Sequence, residues 1–379
     1  MRSPIGNTPR IASLGSARRG GALLALATVL AIAGTPIFAP ALAAGAKAGA
    51  KASAKAGGGE VTPTEASKHF APLPKGADTP TNKLNPHKIA LGKQLFFEPR
   101  LSKSSWISCN SCHNLATAGV DRLPTSIGHK WNIVGRNAPI VLNAALQTAQ
   151  FWDGRMNTVE EQAGGPILAG GEMAATEELV LQRLGSIPEY VKAFKEAFPE
   201  DKAPLTYKNV ARAIAAYERT LLTPGRFDKF LAGDANALKA EEKKGLRLFI
   251  DTGCAGCHNG ATVGGNSFQK LGVVNPPDAA LLKDPGRFGH TKDEKDKNVF
   301  KVPMLRNVHL SAPYFHNGSV ATLEEAVKIM AKAQAGQDLA DAQVAEIVAF
   351  LKALDGDPQP VTLPVLPPST KETAPPNPN

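Results

Sequence analysis

The sequence has few cysteines, and none of them is spare. Its 379 residues include four, which all fall in two Cys-x-x-Cys-His motifs, "CNSCH" (109–113) and "CAGCH" (254–258). Disulfides are the usual use of cysteine in exported proteins. Because no cysteine lies outside the two motifs, none is left to form a structural disulfide. The cysteines are therefore expected to hold a metal or a cofactor, or to act as redox pairs.

The chain also lacks the excess of positive charge that nucleic-acid binding requires. The formal net charge is +9, but four of those charges are arginines within residues 1–43 and three are Lys47, Lys51 and Lys55. The other residues together carry a net charge of only +2. Phosphate backbones are bound through clustered positive charge, so we expect no nucleic-acid partner.

An uncharged apolar run of export-signal length occurs near the N-terminus. Four arginines precede "GALLALATVLAIAG" (21–34), and "APALAAG" (39–45) follows it. A basic start, a short apolar run and an Ala-x-Ala-like exit are typical of a cleaved export signal. We predict a signal peptide over residues 1–43, a periplasmic location and no membrane span after cleavage. The alternative is an uncleaved membrane anchor.

Two end segments lack the apolar residues that folding needs. Residues 44–61 are rich in Ala, Gly and Lys, and residues 358–379 form a Pro-rich tail, with 8 prolines in the last 23 residues of the chain. Such segments bury too little apolar surface to offset the entropy lost on ordering them. We predict a flexible tether at the first and an extended, largely disordered tail at the second.

The chain between these ends is an internal repeat. The segment "PIVLNAALQTAQFWDGRMNTVEE" (139–161) aligns without a gap to "PMLRNVHLSAPYFHNGSVATLEE" (303–325), and each lies downstream of one cysteine motif. The aligned pairs include Pro139/Pro303, Asn143/Asn307, Leu146/Leu310, Phe151/Phe315, Gly154/Gly318 and Thr158/Thr322. Matches at fixed offsets indicate a tandem duplication. We predict one domain over residues 62–223 and a second over residues 224–357.

Both copies have the patterns of helices, and no alternation of strands and helices suggests a parallel sheet. Thr158 with Glu161, and Thr322 with Glu325, are candidate capping boxes at helix starts. Apolar stripes at helical spacing are Val210, Ile214, Tyr217 and Leu221, and Val344, Ile347, Val348, Leu351 and Leu354. The sequence therefore predicts a mainly α protein of two tandem domains with long loops.

The cysteine motifs allow three kinds of site. Zinc requires four ligands in a closed tetrahedron, whereas each motif offers two thiols and one adjacent histidine. A thiol redox pair is expected in a βαβ context and needs no histidine. Covalent haem c uses the whole motif, since the thiols form thioethers and the histidine binds iron. We predict two cytochrome c-like domains with one haem c each, held by Cys109, Cys112 and His113 and by Cys254, Cys257 and His258.

The second axial ligand decides whether each iron carries electrons or reacts. Met330 is the preferred ligand of the second haem, because a thioether raises the reduction potential, and Met304 is the alternative. In the repeat alignment Met330 falls opposite Pro166, so the first haem must differ. The candidates at the first haem are the remaining histidines: His69, His87, His129, His290, His309 and His316.

These residues resemble those of the bacterial di-haem cytochrome c peroxidases from about Leu84 to Gly356. The motifs that carry the resemblance are "SCNSCHNL", "GVDRLPTSIGHKW", "AQFWDGR", "EQAGGPI", "GCAGCHNG", "FKVPMLRN", "PYFHNGSVATLEEAV" and "IVAFLKAL", in that order. The resemblance implies reduction of hydrogen peroxide to water at a low-potential N-terminal haem. It also implies a high-potential C-terminal haem, a small periplasmic electron donor (a cytochrome c or a cupredoxin) and a homodimer.

The resemblance further implies roles for individual residues. His129 resembles the distal ligand that leaves the peroxidatic iron when the other haem is reduced, and Trp152 resembles the residue between the two haems. Glu172 and Gln162 are similar to the acid and its amide neighbour in the peroxide pocket. A positioned carboxylate can take a proton from one peroxide oxygen and return it to the other.

A calcium site between the domains is also implied by the resemblance. Asn137, with the carbonyls of Ser311 and Pro313, matches its protein ligands, and oxygen ligands suit a hard cation. The chain departs from the family's pattern in three places: "LAGGEM" replaces "NPxEM" before Glu172, "VPM" replaces "VPT", and Ser311 replaces Thr.

Two other functions stay open at this point. One is a non-enzymatic di-haem electron carrier that keeps both irons six-coordinate in every redox state. The other is an enzyme of the family branch that oxidises a partner protein, which carries Tyr at the position of Met330.

Overall fold

The computed structural model describes residues 59–357 and 360–379. The predicted signal peptide and all but the last residues of the tether therefore lie outside the described residues. Within the described ranges, no helix is long and apolar enough to cross a membrane.

The described residues form a mainly α structure, as predicted, with long irregular connections. The helices are α1 (Pro63–Ala66), α2 (Pro86–Phe96), α3 (Cys109–Cys112), α4 (Val159–Leu168), α5 (Glu177–Gly185), α6 (Pro188–Ala197), α7 (Tyr207–Glu218), α8 (Arg226–Leu231), α9 (Ala240–Asp251), α10 (Ala279–Leu282), α11 (Phe288–Thr291), α12 (Leu323–Ala335) and α13 (Asp341–Lys352). Two short strands, β1 (Phe268–Lys270) and β2 (Val299–Lys301), pair antiparallel.

The predicted helix starts and stripes are present, but among the described contacts neither predicted capping box has its reciprocal bond from the threonine N–H to the glutamate. Thr158 and Thr322 each accept a hydrogen bond from the main-chain N–H three residues later, at 3.2 Å. The carboxylate of Glu161, however, accepts from the N–H of Asn157 at 2.8 Å rather than from Thr158. The second predicted stripe is buried throughout, and the first is buried except at Leu221, which is half-buried beyond the end of α7.

The first hydrophobic core forms mainly where α2 packs on α7. Asn85 caps α2 by accepting a hydrogen bond from the N–H of Lys88 at 2.7 Å, and Pro86 occupies the first helical position, where its missing N–H costs nothing. A Cβ at Gly92 would overlap the carbonyl oxygen of Ala213. The helices can approach this closely only because residue 92 is a glycine.

The second core repeats this arrangement, with α9 packed on α13. A Cβ at Gly245 would overlap the carbonyl oxygen of Glu346, just as one at Gly92 would meet α7. The two glycines begin the matching segments 92–114 and 245–260. The duplication read from the sequence is therefore also present in the packing of the helices.

A shared contact joins the two copies at Thr223. Asn143 and Asn307, which align in the repeat, both adopt a left-handed backbone conformation with φ of 61°. Their side-chain amides donate to the same hydroxyl oxygen, Oγ1 of Thr223, at 2.8 and 2.9 Å. Thr223 is also the predicted last residue of the first domain.

The N-terminal end of the described chain packs in the second core, and its C-terminal end packs on the first domain. Near the N-terminal end, Val61, Ala66 and Phe70 pack in the second core, where Phe70 contacts the rings of Phe227 and Phe350. Residues 360–379 instead lie along the first domain. The first predicted domain thus contributes its opening residues to the core of the second.

The prediction of a largely disordered tail is wrong for residues 360–379. The guanidinium of Arg183, on α5, is buried and donates to the main-chain carbonyls of Ala374 and Pro375 at 3.1 and 2.8 Å. The N–H of Asn377 donates to the carbonyl of Lys103 at 3.0 Å. Hydrogen bonds from a folded surface therefore order a segment whose own composition could not.

Candidate haem centres and the cavity between them

Both cysteine motifs line one cavity of about 790 Å³. The other predicted site residues that line it are Asn137, Trp152, Gln162, Glu172, Ser311, Pro313 and Met330, together with the alternative ligand Met304. The fold thus brings together residues that lie up to about 220 positions apart, from both copies of the repeat.

The environment of the thiols suits thioethers and does not suit a reactive thiol pair. Burial raises the pKa of Cys112 to about 11 and raises the pKa of Cys109 further above its usual range. Reactive thiols have lowered pKa values instead. Within the described residues, no group of three or more His, Cys, Asp or Glu side chains could hold a metal ion, so zinc has no ligand set here.

His113 is held so that one particular ring nitrogen is free. Its main-chain N–H donates to the carbonyl of Cys109 at 2.9 Å, which continues the turn of α3. Its Nδ1 lies 3.0 Å from the carbonyl oxygen of Pro139. A carbonyl can only accept, so Nδ1 carries the proton and Nε2 is left with a lone pair for a metal.

His258 repeats this arrangement in the second copy. Its N–H donates to the carbonyl of Cys254 at 3.0 Å. Burial lowers the pKa of His258 to about 4, and the nearby carbonyl of Pro303 opposes that fall without making a well-aligned hydrogen bond. Pro303 is the repeat partner of Pro139. Both histidines can therefore offer Nε2 to iron, and the residues present fit haem c.

Glu172 and Gln162 bring polar groups to the cavity. Gln162 is on α4, and Glu172 follows that helix in a turn where its N–H donates to the carbonyl of Ala169 at 2.9 Å. Burial raises the pKa of the Glu172 carboxyl, and the positive charge of Arg155 opposes this in part. A carboxyl group can accept a proton as the carboxylate and return it as the acid, and the raised pKa favours the protonated form more than in an exposed glutamate.

The structure does not place His129 among the residues that line the cavity. Its neighbour Gly128 lines it, whereas His129 is 6% exposed and neither of its ring nitrogens has a hydrogen-bond partner within the described part of the chain. The main-chain N–H of His129 donates to the carbonyl of Glu172 at 2.7 Å. The loop that carries His129 is therefore tied to the turn that carries the candidate acid.

The other histidines named as candidates lie in three kinds of environment. His316 lines the cavity, whereas His69, His87, His290 and His309 do not. His309 bonds Asp355 through Nδ1 at 2.9 Å, and His87 lies 3.8 Å from Glu196 on the surface. Like His129, these four are not among the residues that line the cavity.

The two candidate methionines differ in their surroundings. Met330, on α12, is half-buried against Leu271 and Phe300 and faces the cavity. Met304 is buried in a separate apolar cluster with Val120 and Ile140. Both methionines line the cavity, and Met330 is the more exposed of the two.

Trp152 lies between groups from the two copies. Its Nε1–H donates to the main-chain carbonyl of Asn137 at 2.9 Å. Its ring meets that of His316 edge-on, with centroids 6.2 Å apart, and His316 in turn stacks on Phe300 at 4.4 Å. Trp152 and His316 are repeat partners, so the duplicated positions now pack against each other.

The three predicted calcium ligands reach the same cavity. The amide nitrogen of Asn137 donates to the carbonyls of Leu123 and Pro124 at 2.8 and 3.2 Å, which leaves its amide oxygen free to bind a cation. Ser311 and Pro313 line the cavity with it, and the bond before Pro313 is cis.

Sequence reasoning missed charged residues around this cavity. Arg136 of the first copy forms a bidentate pair with Asp284 of the second, at 2.6 and 2.9 Å, and also bonds Asp153 at 2.7 Å. Glu218 lines the cavity with a pKa raised to about 8 by burial and by the neighbouring Glu160. No short motif could have identified these residues, because their surroundings come from distant parts of the chain.

Known proteins share both halves of this chain. Family models described as di-haem cytochrome c peroxidase and cytochrome c match residues 86–236 and 242–355. The cytochrome c551 peroxidase of Pseudomonas aeruginosa is 50% identical over 313 residues, covering 82% of this chain and 90% of the relative. The cytochrome c551 peroxidase of Nitrosomonas europaea is 50% identical over 292 residues, covering 76% and 86%.

A solved structure is similar as well. A MauG-like protein associated with microbial copper homeostasis superposes with a TM-score of 0.68 at 28% identity, covering 75% of this chain and 95% of that one. The two family-model matches include both cysteine motifs. The chain therefore belongs to the di-haem cytochrome c peroxidase family, as an enzyme with two covalently bound haem c groups.

Proposed function

We propose that this chain reduces hydrogen peroxide to water in the periplasm, with two electrons from a small donor protein such as a cytochrome c or a cupredoxin. The observation that carries the proposal is a carboxyl group with a raised pKa, Glu172, in the cavity that contains the His113 motif. When bound, the haem groups supply the iron and the one-electron redox steps. The chain must supply the proton transfers and must hold the reactants.

Glu172 is the proposed acid–base residue. Cleavage of peroxide requires a proton to move from the oxygen that stays bound to the oxygen that leaves as water. The carboxylate can accept that proton and, as a carboxylic acid, return it. Gln162 has an amide with both donors and an acceptor, which suits it to orient peroxide without competing for the proton.

The proposed axial ligands follow from the free ring nitrogens and from the resemblance. His113 and His258 are proposed as proximal ligands, and Met330 as the second ligand of the C-terminal haem. His129 is proposed as the displaceable ligand of the N-terminal haem. Because the N–H of His129 is bonded to the carbonyl of Glu172, movement of the loop would also move the proposed acid.

Trp152 is proposed to lie on the electron route between the two haems. The edge-on contact of Trp152 with His316 supports this role, since it joins aromatic side chains from the two copies. Asn137 holds the indole through its carbonyl and contributes its side-chain oxygen to the proposed calcium site. We propose that calcium, bound with the carbonyls of Ser311 and Pro313, stiffens this junction.

Location and assembly are proposed on other grounds. The signal-like segment 1–43 supports export to the periplasm. The family resemblance supports a homodimer. The boundaries 62–223 and 224–357 remain our proposed domain limits.

The proposal is tested by steady-state peroxide turnover with a reduced cytochrome c. We expect Glu172→Gln to lower kcat by about 10²- to 10⁴-fold, because general acid–base catalysis contributes about that much. The matched control is Glu178→Gln, which removes a fully exposed carboxylate on α5. Unchanged turnover in Glu172→Gln, with both haems present, would remove Glu172 from the mechanism.

A second candidate function is oxidation of a partner protein, and the likeness to a MauG-like structure favours considering it. The two functions differ at residue 330, where this chain has Met rather than Tyr. We expect Met330→Tyr to lower the potential of the C-terminal haem and to reduce peroxide turnover. A C-terminal haem whose potential is unaffected by this change would show that Met330 is not its ligand.

A further inference from the structure

Lys301, the last residue of β2, carries a buried charge that the protein does not neutralise. Its side chain lies at the edge of the cavity, and the residue is only 6% exposed. Burial lowers the pKa of Lys301 to about 8, and no neighbouring acid opposes the shift. Its ammonium has one hydrogen-bond partner among the described residues, the side-chain oxygen of Gln147.

Two buried arginines among the described residues are better satisfied. Arg306 is 1% exposed and forms a bidentate pair with Asp228 at 2.7 and 2.8 Å. Arg183, equally buried, is surrounded by main-chain carbonyls that accept from its guanidinium. An ammonium has three donors, and Lys301 uses one of them, on a neutral amide. Burying a charge without a counter-ion is costly, so an anion is expected at this position.

The position of Lys301 indicates which anion it meets. It lines the cavity that both haem motifs line, and each haem brings two propionate carboxylates. Its main-chain N–H donates to the carbonyl of Trp152 at 2.8 Å, and its side chain reaches Gln147. Both of those residues belong to the first copy, whereas Lys301 belongs to the second. The ammonium is therefore held at the junction of the copies, facing the space that the cofactors fill.

Gln147 is itself fixed in place. The Cγ of Gln147 packs against Gly265, where an added Cβ would come within 2.7 Å. The next residue, Thr148, donates its N–H to the carbonyl of Gly265 at 2.9 Å. Gly265 has a φ of +76°, a conformation that suits glycine. The amide is thus a rigid support for the ammonium and cannot neutralise it.

We propose that Lys301 binds a haem propionate and that Gln147 positions its ammonium group. In this position the charge of Lys301 raises the reduction potential of the haem that it contacts. A positive charge near the iron favours the state with one more electron, and the low dielectric of a buried site strengthens the effect. The carboxylate can belong to either haem, and the chemistry is the same. The inference does not depend on peroxide turnover.

The test is a spectroscopic redox titration of the haem-loaded protein, in which the midpoint potential of each haem is read separately. We expect Lys301→Met to reduce the equilibrium constant for reduction of one haem about tenfold, or about 59 mV for one electron. The haem that shifts is the one that supplies the propionate. Lys301→Arg should keep most of the potential. Lys239→Met, a surface change in the same copy, should move neither haem.

Two results would overturn the proposal. One is that the midpoint potentials of both haems in Lys301→Met equal those in Lys239→Met. The other is a loss of potential in Lys301→Arg as large as that in Lys301→Met, since the charge would then be irrelevant. Lys301→Gln is a second neutral variant that keeps some hydrogen bonding, and it should show the same shift.

If the neutral variants do not acquire both haems, the haem content of all three variants tests the proposal instead. Loss of haem in Lys301→Met and Lys301→Gln but not in Lys301→Arg would mean that the positive charge itself seats the cofactor, as proposed. Loss in all three variants would mean that Lys301 is needed only for packing, and the proposal would fail. Peroxide turnover is not measured in this experiment, so its outcome is separate from that of the proposed function.

Discussion

The two copies of the repeat share their scaffold and differ where they line the cavity. In both, a glycine allows two helices to cross, and the carbonyl of a matching proline faces the proximal histidine. The differences are Pro166 opposite Met330 and Trp152 opposite His316. In our proposal, duplication has kept the contacts that hold a haem and changed those that decide what the haem does. The predictions below test each half of this statement.

The largest expected difference between the copies is in pH dependence. Peroxide turnover needs the carboxylate form of Glu172, and burial raises the pKa of that group. As the pH falls through the raised pKa, the carboxylate is lost, and we expect kcat/KM to fall about tenfold per pH unit. The potential of the C-terminal haem, which has no such acid in our proposal, should not follow this curve.

Variants at two acids identify the group responsible. Glu172→Gln should remove the acid limb of the kcat/KM profile, whereas Glu218→Gln should keep it. Glu218 is a stringent comparison because its pKa is raised to about 8 and it lines the same cavity. An acid limb that disappears only in Glu218→Gln would transfer the proton-carrying role to that residue.

Equivalent substitutions at the two helix crossings should destabilise both copies by similar amounts. Gly92→Ala and Gly245→Ala each place a methyl group on a backbone carbonyl of the partner helix. Overpacking of this kind costs about 3 kcal/mol, and we expect similar losses in the two variants. The measurement is the free energy of unfolding by denaturant titration. Gly76→Ala is the control, because nothing lies within 4 Å of a Cβ there. A large loss in one copy alone would contradict the shared scaffold.

The sequence predicted the features that both copies share, and it missed the contacts that distant residues make. The repeat, the helical stripes and the cysteine motifs are local patterns, and they led to the fold class and the haem sites. Lys301 with Gln147, and Arg136 with Asp284, were missed because each pair joins side chains about 150 residues apart. The order of the tail was missed for a related reason. The composition of the tail indicates only whether this segment would become ordered by itself. Hydrogen bonds from the folded domain, including those from the guanidinium of Arg183, order it in the structure.

Removing the support for the tail should affect one copy only. Arg183→Ala removes the donor to the main-chain carbonyls of Arg100, Ala374 and Pro375. Each unsatisfied buried group costs about 1–3 kcal/mol, but water can reach the freed tail, so we expect a loss of about 2 kcal/mol. Hydrogen exchange should rise at residues 360–379 and near Lys103. Exchange that rises equally around α9 and α13 would show that the tail stabilises both copies.

The smallest expected effect concerns the residue that joins the copies. Asn143→Ala and Asn307→Ala each remove one amide donor from the hydroxyl of Thr223. Each also removes the acceptor of a main-chain N–H, of Thr223 or of Gly356, and puts alanine at a φ of 61°, so each single loss should exceed about 1 kcal/mol and the small effect is their coupling. Because both amides meet the same oxygen, the losses should not add, and the double variant should deviate from their sum by about 0.5 kcal/mol or more. Denaturant titrations of the four proteins give this coupling energy. Strict additivity would mean that the two copies do not communicate through Thr223, and that their coupling depends on the cavity alone.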